Sequence, residues 1–262
     1  MRATVLHQLD QLKLPRESLV TRRVSPEELR ADPVLRGAAV IHFDLVFRSS
    51  VSAEEVIFTA AHGLARVAYH PRLPDFPVGV ALAQPTRKLV RVRAEIFERD
   101  GSSLEEAPVL MPYAVAASPG RKGAGKALLL AILDDAAALP TPPRVVTFSP
   151  LTGMRARVIR LVDDGVAWAG ASAQHPGVDN ALVREQLLAL LACEKLPDEV
   201  PQPARGWLAT EGARFAESPG YAVGCFHRAM GATLVGLTDG ADPWDSDALW
   251  ARAYFDYGVP GA

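Results

Sequence analysis

The sequence predicts a mixed fold of α-helices and β-strands, on three observations. Ser25-Pro26-Glu27-Glu28 and Ser52-Ala53-Glu54-Glu55 each place a capping serine before acidic residues, the signature of a helix start. Val90, Val92, Ala94 and Ile96 alternate with Arg91, Arg93 and Glu95, the period-two pattern of a strand with one buried face. Residues 109–117 then read as a strand, followed by a glycine turn, a helix over 126–139 and a β-branched strand over 144–148.

Composition narrows the class. The 262 residues are 49% hydrophobic and 22% charged with 20 glycines, which supports a sizeable core and excludes a disordered or collagen-like chain. Lys and Arg number 28 against 30 Asp and Glu, a net charge of −2, so the overall balance calls for neither a nucleic acid nor an anionic membrane. Cys193 and Cys225 have neither metal-ligand spacing nor the density of a disulfide framework, which excludes a structural metal and predicts two buried apolar side chains in a reducing compartment. Arg2, Asp10, Lys13, Arg16 and Glu17 interrupt the N-terminal stretch, so no signal peptide is read there. No run approaches the roughly 20 apolar residues of a membrane span, and a cytoplasmic protein is expected.

In chain order, the first helix starts at Pro26 and should stop near Gly37, while residues 38–47 are apolar but irregular and receive no assignment. A second helix is predicted over 53–64. Pro71, Pro74 and Pro77 then exclude regular structure and predict an ordered loop or the entrance to a sheet. From Val78 the period becomes two, up to a hairpin turn at Asp100-Gly101. Beyond 148 the sequence predicts helices over 154–162 and 178–195, a proline-rich connection over 197–203, a segment over 221–237 and an aromatic C-terminus. Without internal repeats or a linker, one domain over residues 1–262 is predicted, with 1–68 as a mostly helical extension.

The glycine turn Ser118-Pro119-Gly120-Arg121-Lys122-Gly123-Ala124-Gly125-Lys126 lies between a strand and a helix, where bare N–H groups at a helix start can face an anion. Gly120, Gly125 and Lys126 match a P-loop until Ala127, which stands where a hydroxyl should hold magnesium. Gly123 and Gly125 match the pyrophosphate turn of acyl-CoA N-acyltransferases (the GNAT fold), with Gly120 at its usual Gln/Arg position. A turn that only packs helix on strand is the third reading.

Two further segments carry chemistry-bearing residues. Phe148-Ser149-Pro150-Leu151-Thr152-Gly153 puts a serine at a strand end, where Pro and Gly stop both sheet and helix. Cys225-Phe226-His227-Arg228-Ala229-Met230-Gly231-Ala232 sets a histidine among apolar neighbours. Taken singly, a serine in that position can be a cap and such a histidine a core group.

Together, in this order, they resemble malonyl-CoA decarboxylase, with its Ser-Pro-Ile-Pro-Gly and Phe-His-x-x-Asn-Gly-Ala segments. Tyr69-His70-Pro71-Arg72-Leu73-Pro74-Asp75-Phe76-Pro77 is similar to that family's Phe-His-Pro-x-Leu-Pro-Asp-Glu-Pro, Pro119-Gly120 through Gly123 to its Pro-Gly-Leu-x-Gly turn, and Tyr257 falls where its terminal Asn-Tyr-x-Tyr ends. The matches run from residue 69 to 257. Departures are Thr152 for a proline, Met230 for the asparagine, Pro243-Trp244 for a threonine and serine after Asp242, a shorter segment from there to Tyr257, and the near absence of the family's preceding helical domain.

The resemblance implies a GNAT-like α+β fold, a mixed β-sheet flanked by helices, that binds an acyl-CoA. It assigns catalysis to Ser149, His227 and Tyr257 and the CoA pyrophosphate to Gly120, Arg121, Lys122, Gly123, Ala124 and Gly125. The implied reaction is decarboxylation of a malonyl thioester, on CoA or a carrier protein, in which Ser149 donates to the carboxylate or enolate oxygen and His227 protonates the carbanion. Its reference pKa of ~6.5 suits neutral pH. No metal or organic cofactor is expected, because the thioester is its own electron sink. The alternative is an acyltransferase on the same fold, with His227 or Glu106 as base toward an amine or hydroxyl. A hydrolase lacks the Gly-x-Ser-x-Gly elbow, and a third class is a binding protein that keeps the acyl-CoA site without chemistry. Arg87, Lys88, Arg91 and Arg93 would meet a CoA phosphate or an acidic carrier, or form a solvated strand face.

Overall fold

The computed structural model describes residues 19–47, 51–90, 93–96, 102–117, 123–193, 197, 199–238, 246–249 and 251–260. They divide into two compact units, Met1–Leu89 with Glu98–Val146 and Gly258–Ala262, and Val90–Phe97 with Thr147–Tyr257.

The first unit holds strand β1 (Val20–Arg23) and helix α1 (Pro26–Ala31), which begins with a reciprocal cap. The Glu28 N–H donates to Ser25 Oγ at 3.1 Å, and the Ser25 N–H donates to the Glu28 carboxylate at 2.8 Å. α1 stops well before Gly37, because the Asp32 carboxylate accepts from the Val34 and Leu35 N–H groups (2.8 and 3.0 Å) and starts a new helix, α2 (Pro33–Phe47). Gly37 and the unassigned apolar run therefore lie inside α2. α3 (Ala53–His62), capped by Ser52, ends short of Leu64, which opens β2 (Leu64–His70).

Pro71 and Arg72 form a turn and the strand begins at Leu73, so the segment is the entrance to a sheet, one of the two expectations, but Pro74 and Pro77 do not exclude regular structure. β3 (Leu73–Thr86) pairs antiparallel with β2, and register shifts at Ala68, Tyr69 and His70 set Tyr69 opposite Pro77. Register irregularities flank the Tyr69–Pro77 pair, the kind of setting in which a strand carries a proline. β1 pairs with β2 and β3 with β4 (Val109–Ala117), all antiparallel. β4 and β5 (Arg144–Pro150) run parallel and pair at Val109↔Arg144 and Leu110↔Val145, so the pairing is mixed.

Every residue from Val78 to Thr86 is buried, since α2 and α4 (Ala124–Ala137) both pack on β3. Gly79 makes room for that packing. A Cβ there would lie 3.0 Å from Leu128 Cδ1 and 3.0 Å from the Ala116 carbonyl.

The described part of the alternation at 90–96 forms no strand. Arg93–Ile96 is a 3₁₀ turn, and the buried Val90 accepts from the Tyr254 hydroxyl at 2.8 Å through its carbonyl, within the second unit. Residues 91–92 and the expected hairpin turn at Asp100-Gly101 lie outside the described residues.

The second unit is built from α5 (Met154–Asp163), α6 (Gly165–Ser172), α7 (Asn180–Ala192), α8 (Ala204–Glu217) and α9 (Ala222–Ala229), with β6 (Thr233–Thr238) antiparallel to β7 (Arg252–Asp256). Of these, α6 and α8 fall outside the predicted elements, and α9 and most of β6 lie in the segment 221–237, which received no type. Leu151, Met154, Val158, Leu187, Trp207, Phe215, Tyr221 and Phe255 form its core. The cysteines are not core side chains. Both are partly exposed free thiols, Cys193 at the end of α7 and Cys225 on the side of α9 that faces the Pro219 carbonyl, 3.6 Å from its sulfur. Among the described residues, no helix is long and apolar enough to cross a membrane.

Candidate active site

The end of β5 is shaped by its own residues. Thr147 and Phe148 are buried, Ser149 is half-buried, and Leu151 leaves the strand by donating its N–H to the Ala251 carbonyl at 3.0 Å. Gly153 then turns the chain into α5 at φ +95°, a left-handed conformation that a side chain disfavours. The Ser149 hydroxyl is therefore held at a break between strand and helix.

His227, on α9, meets it. Its Nε2 lies 3.2 Å from Ser149 Oγ, and its Nδ1 lies 2.5 Å from the Tyr257 hydroxyl. The imidazole stacks on Phe255 with centroids 4.7 Å apart and planes 23° apart, and the edge of Phe226 approaches at 5.2 Å. Serine, histidine and tyrosine, remote in sequence, thus form one chain of contacts inside the second unit.

Burial sets the electrostatics. His227 is 7% exposed, and desolvation pushes its pKa down to about 4, so the ring is neutral at pH 7 rather than poised at its reference value. The Tyr257 phenol is pushed upward by the same cause and keeps its proton. A neutral imidazole has one N–H and one acceptor nitrogen, and here each ring nitrogen faces a hydroxyl. The phenol is the more acidic donor, which favours Tyr257 O–H donating to Nδ1 and Nε2–H donating to Ser149 Oγ. The serine proton is then left to point elsewhere.

Two residues of this arrangement escape sequence reasoning. Phe255 carries the imidazole, and its position two residues before Tyr257 on an extended chain, hence on the same face, is a signal that could have found it. Tyr221 is 1% exposed and donates its hydroxyl to the Pro150 carbonyl at 2.9 Å. It precedes α9 without any local pattern that marks it.

The glycine turn belongs to the first unit, and Ser118 to Lys122, including Gly120 and Arg121, lie outside the described residues. Gly123 starts α4 at φ +96° with no side-chain cap, and a Cβ there would meet nothing within 4 Å. Ala124 is fully buried, and a Cβ at Gly125 would only touch Val115 at 3.8 Å. The first N–H groups of α4 thus lack a capping side chain beside open space. Glu106 is exposed in the turn before β4. Arg87 and Lys88 are exposed in the bend after β3 and Arg93 begins the 3₁₀ turn, so these three do not line a strand face, and Arg91 lies outside the described residues. Asp242, Pro243 and Trp244 are also outside the described residues.

The fold is similar to that of several solved structures. Malonyl-CoA decarboxylase from Agrobacterium vitis matches with a TM-score of 0.66 at 18% identity, over 98% of this chain and 64% of that one. The GphF GNAT-like decarboxylase, solved in complex with isobutyryl-CoA, matches at 0.56 and 16% identity, over 91% of this chain and 98% of that one. The loading GNATL domain of CurA from Lyngbya majuscula matches at 0.54 and 16% identity, over 92% and 98%. These likenesses establish a GNAT-like α+β fold with mixed strand pairing and flanking helices. The chain spans slightly less than two thirds of the length of the Agrobacterium decarboxylase. Neither a protein-family model nor a curated protein matches the sequence.

Proposed function

We propose that the protein is an enzyme that decarboxylates a malonyl-type thioester, carried by CoA or a carrier protein, to the acetyl thioester and carbon dioxide. The observation that supports this most is the Ser149–His227–Tyr257 chain of contacts, on a fold like that of decarboxylases. The resemblance in sequence motifs points the same way.

In this reading, Tyr257 fixes the imidazole from one side and Phe255 from its face, so that Nε2–H is directed at Ser149 Oγ. Ser149 is thereby polarised as a donor, and its hydroxyl donates to the thioester oxygen as negative charge develops there. The bond between the α-carbon and the carboxylate breaks, its electron pair stays on the α-carbon as the enolate, and carbon dioxide leaves. The α-carbon then takes the Ser149 hydroxyl proton, which water replaces, so one solvent proton is consumed for each carbon dioxide released while His227 keeps its own. The neutral imidazole serves as an orienting donor, because protonating a buried ring that titrates near 4 would be costly at pH 7. Separately, the uncapped start of α4 at Gly123 would receive a CoA pyrophosphate.

Incubation with malonyl-CoA and no acceptor tests the reading. Release of acetyl-CoA and carbon dioxide is expected, whereas turnover only after addition of an amine, hydroxyl or carrier protein would favour the acyltransferase. CoA binding without turnover of any thioester would favour a binding protein.

A further inference from the structure

We propose that Tyr221 is a positioning residue that holds the Ser149-bearing strand end against the ring stack carrying His227; this rests on the decarboxylase reading for its kinetic consequence but not for its geometry. The Tyr221 hydroxyl reaches two successive carbonyls at the end of β5, Pro150 at 2.9 Å and Ser149 at 3.5 Å. Its ring stacks on Phe255 (centroids 6.3 Å, planes 26° apart), whose own ring stacks on His227 at 4.7 Å. A single buried side chain thus touches both the backbone that aims Ser149 and the aromatic platform that supports the imidazole.

The surroundings are shaped to keep it there. Phe215 packs on it at 5.5 Å, and Gly224, on the same helix as His227, leaves space for its ring. A Cβ at 224 would come within 2.5 Å of Tyr221 Cδ1 and 3.0 Å of the Ala216 carbonyl. Any larger residue would drive the ring out. Ser149 and His227 make contact at 3.2 Å, near the limit of a good hydrogen bond, so a small displacement of the strand end would lose it. Tyr221 does not touch the reacting atoms. Its effect passes through where Ser149 sits.

Tyr221→Phe keeps the ring stack and removes only the hydroxyl. Two readouts test it. The first needs no substrate: the ¹⁵N shifts of the His227 imidazole report the Nε2 partner, and Ser149→Ala calibrates the loss of that contact. Tyr221→Phe is expected to move the Nε2 signal toward the Ser149→Ala position, and an unchanged spectrum would overturn the proposal. The second is kinetic. With malonyl-CoA, Tyr221→Phe should lower kcat about 10-fold, the rate equivalent of one neutral hydrogen bond, with KM unchanged. In a Ser149→Ala background it should cost nothing further. An equal extra loss in that background, or a raised KM at full kcat, would overturn the positioning role. Should the wild type leave malonyl-CoA untouched, the decarboxylase reading fails while the ¹⁵N measurement still decides whether Tyr221 positions Ser149. Gly224→Ala, which displaces the ring instead of the hydroxyl, should produce the same ¹⁵N change, and an unaltered Nε2 signal in that variant would likewise count against the proposal.

Discussion

His70 and His227 both lie in segments that resemble one family, and both are nearly inaccessible, at 2% and 7% exposure. His70 ends β2, and its Nδ1 accepts the N–H of Arg72 at 3.1 Å, a contact within its own hairpin. His227 is held through both ring nitrogens by side chains from distant parts of the second unit. Burial and a motif match are therefore shared by a histidine whose Nδ1 accepts from its own turn and one whose two ring nitrogens both face hydroxyls. The difference the structure shows is at Nδ1, which meets local backbone in His70 and the hydroxyl of a remote tyrosine in His227.

Exchanging each histidine for alanine tests this difference most strongly. His227→Ala is expected to lower turnover by roughly 10²- to 10⁴-fold with little change in CoA affinity. His70→Ala should leave kcat nearly intact and cost stability, about 1–3 kcal/mol for a buried hydrogen-bonding group left unpaired. Steady-state kinetics and denaturant melts of both variants check the pair. A large kcat loss in His70→Ala would erase the distinction.

Acidification acts on the buried imidazole with a defined sign. A pKa lowered on folding, from a reference near ~6.5 to about 4, means that the unfolded chain binds the extra proton first. The stabilisation from a neutral His227 is full above the unfolded pKa and is lost as pH falls from there toward about 4, by roughly 3 kcal/mol at most. His42, buried against the Pro77 carbonyl at 2.7 Å, is shifted in the same direction. Urea melts between pH 7 and 4 should show a shallower decline in His227→Gln than in the wild type. Equal declines would mean that His227 titrates as an exposed histidine does.

A smaller effect is expected at the glycine turn. Gly123→Leu adds a side chain where nothing lies within 4 Å, at the cost of about 1–2 kcal/mol for its left-handed backbone. CoA affinity measured by calorimetry should fall about 10-fold, the loss of roughly one charge-assisted hydrogen bond to phosphate, in a folded variant. Unchanged affinity would remove the turn from the CoA-binding reading.

Legibility in the sequence followed local consistency. Residues 109–117 form a strand with the predicted bounds, and the strand at 144–148 and the helix at 154–162 come within two residues of theirs, because pattern and packing agree there. β2 escapes because Arg66 sits in its interior, where it pairs with Asp135 of α4 at 2.6 Å, a tertiary ion pair that no local pattern reveals. α8 escapes for a related reason. Glu211 lies on its buried face at 2% exposure, held by Arg157 (3.1 Å) and Arg214 (2.5 Å), so the helical stripe is broken by a charge. The alternation at 90–96 misleads in the opposite direction, since a 3₁₀ turn accepts the same residues. At the site, Ser149, His227 and Tyr257 are legible through the motifs. Tyr221 is not, since its hydroxyl serves backbone carbonyls that only the folded chain brings near.

The claim that Ser149 and His227 act as one unit on a malonyl thioester is tested most directly by a double-mutant cycle on kcat/KM with malonyl-CoA. Ser149→Ala and His227→Ala should each cause a large loss, and the double variant should fall little below the worse single variant, because both groups serve one transition state. A double variant whose loss equals the product of the two single losses would contradict the account and leave the 3.2 Å contact between them without a shared catalytic role.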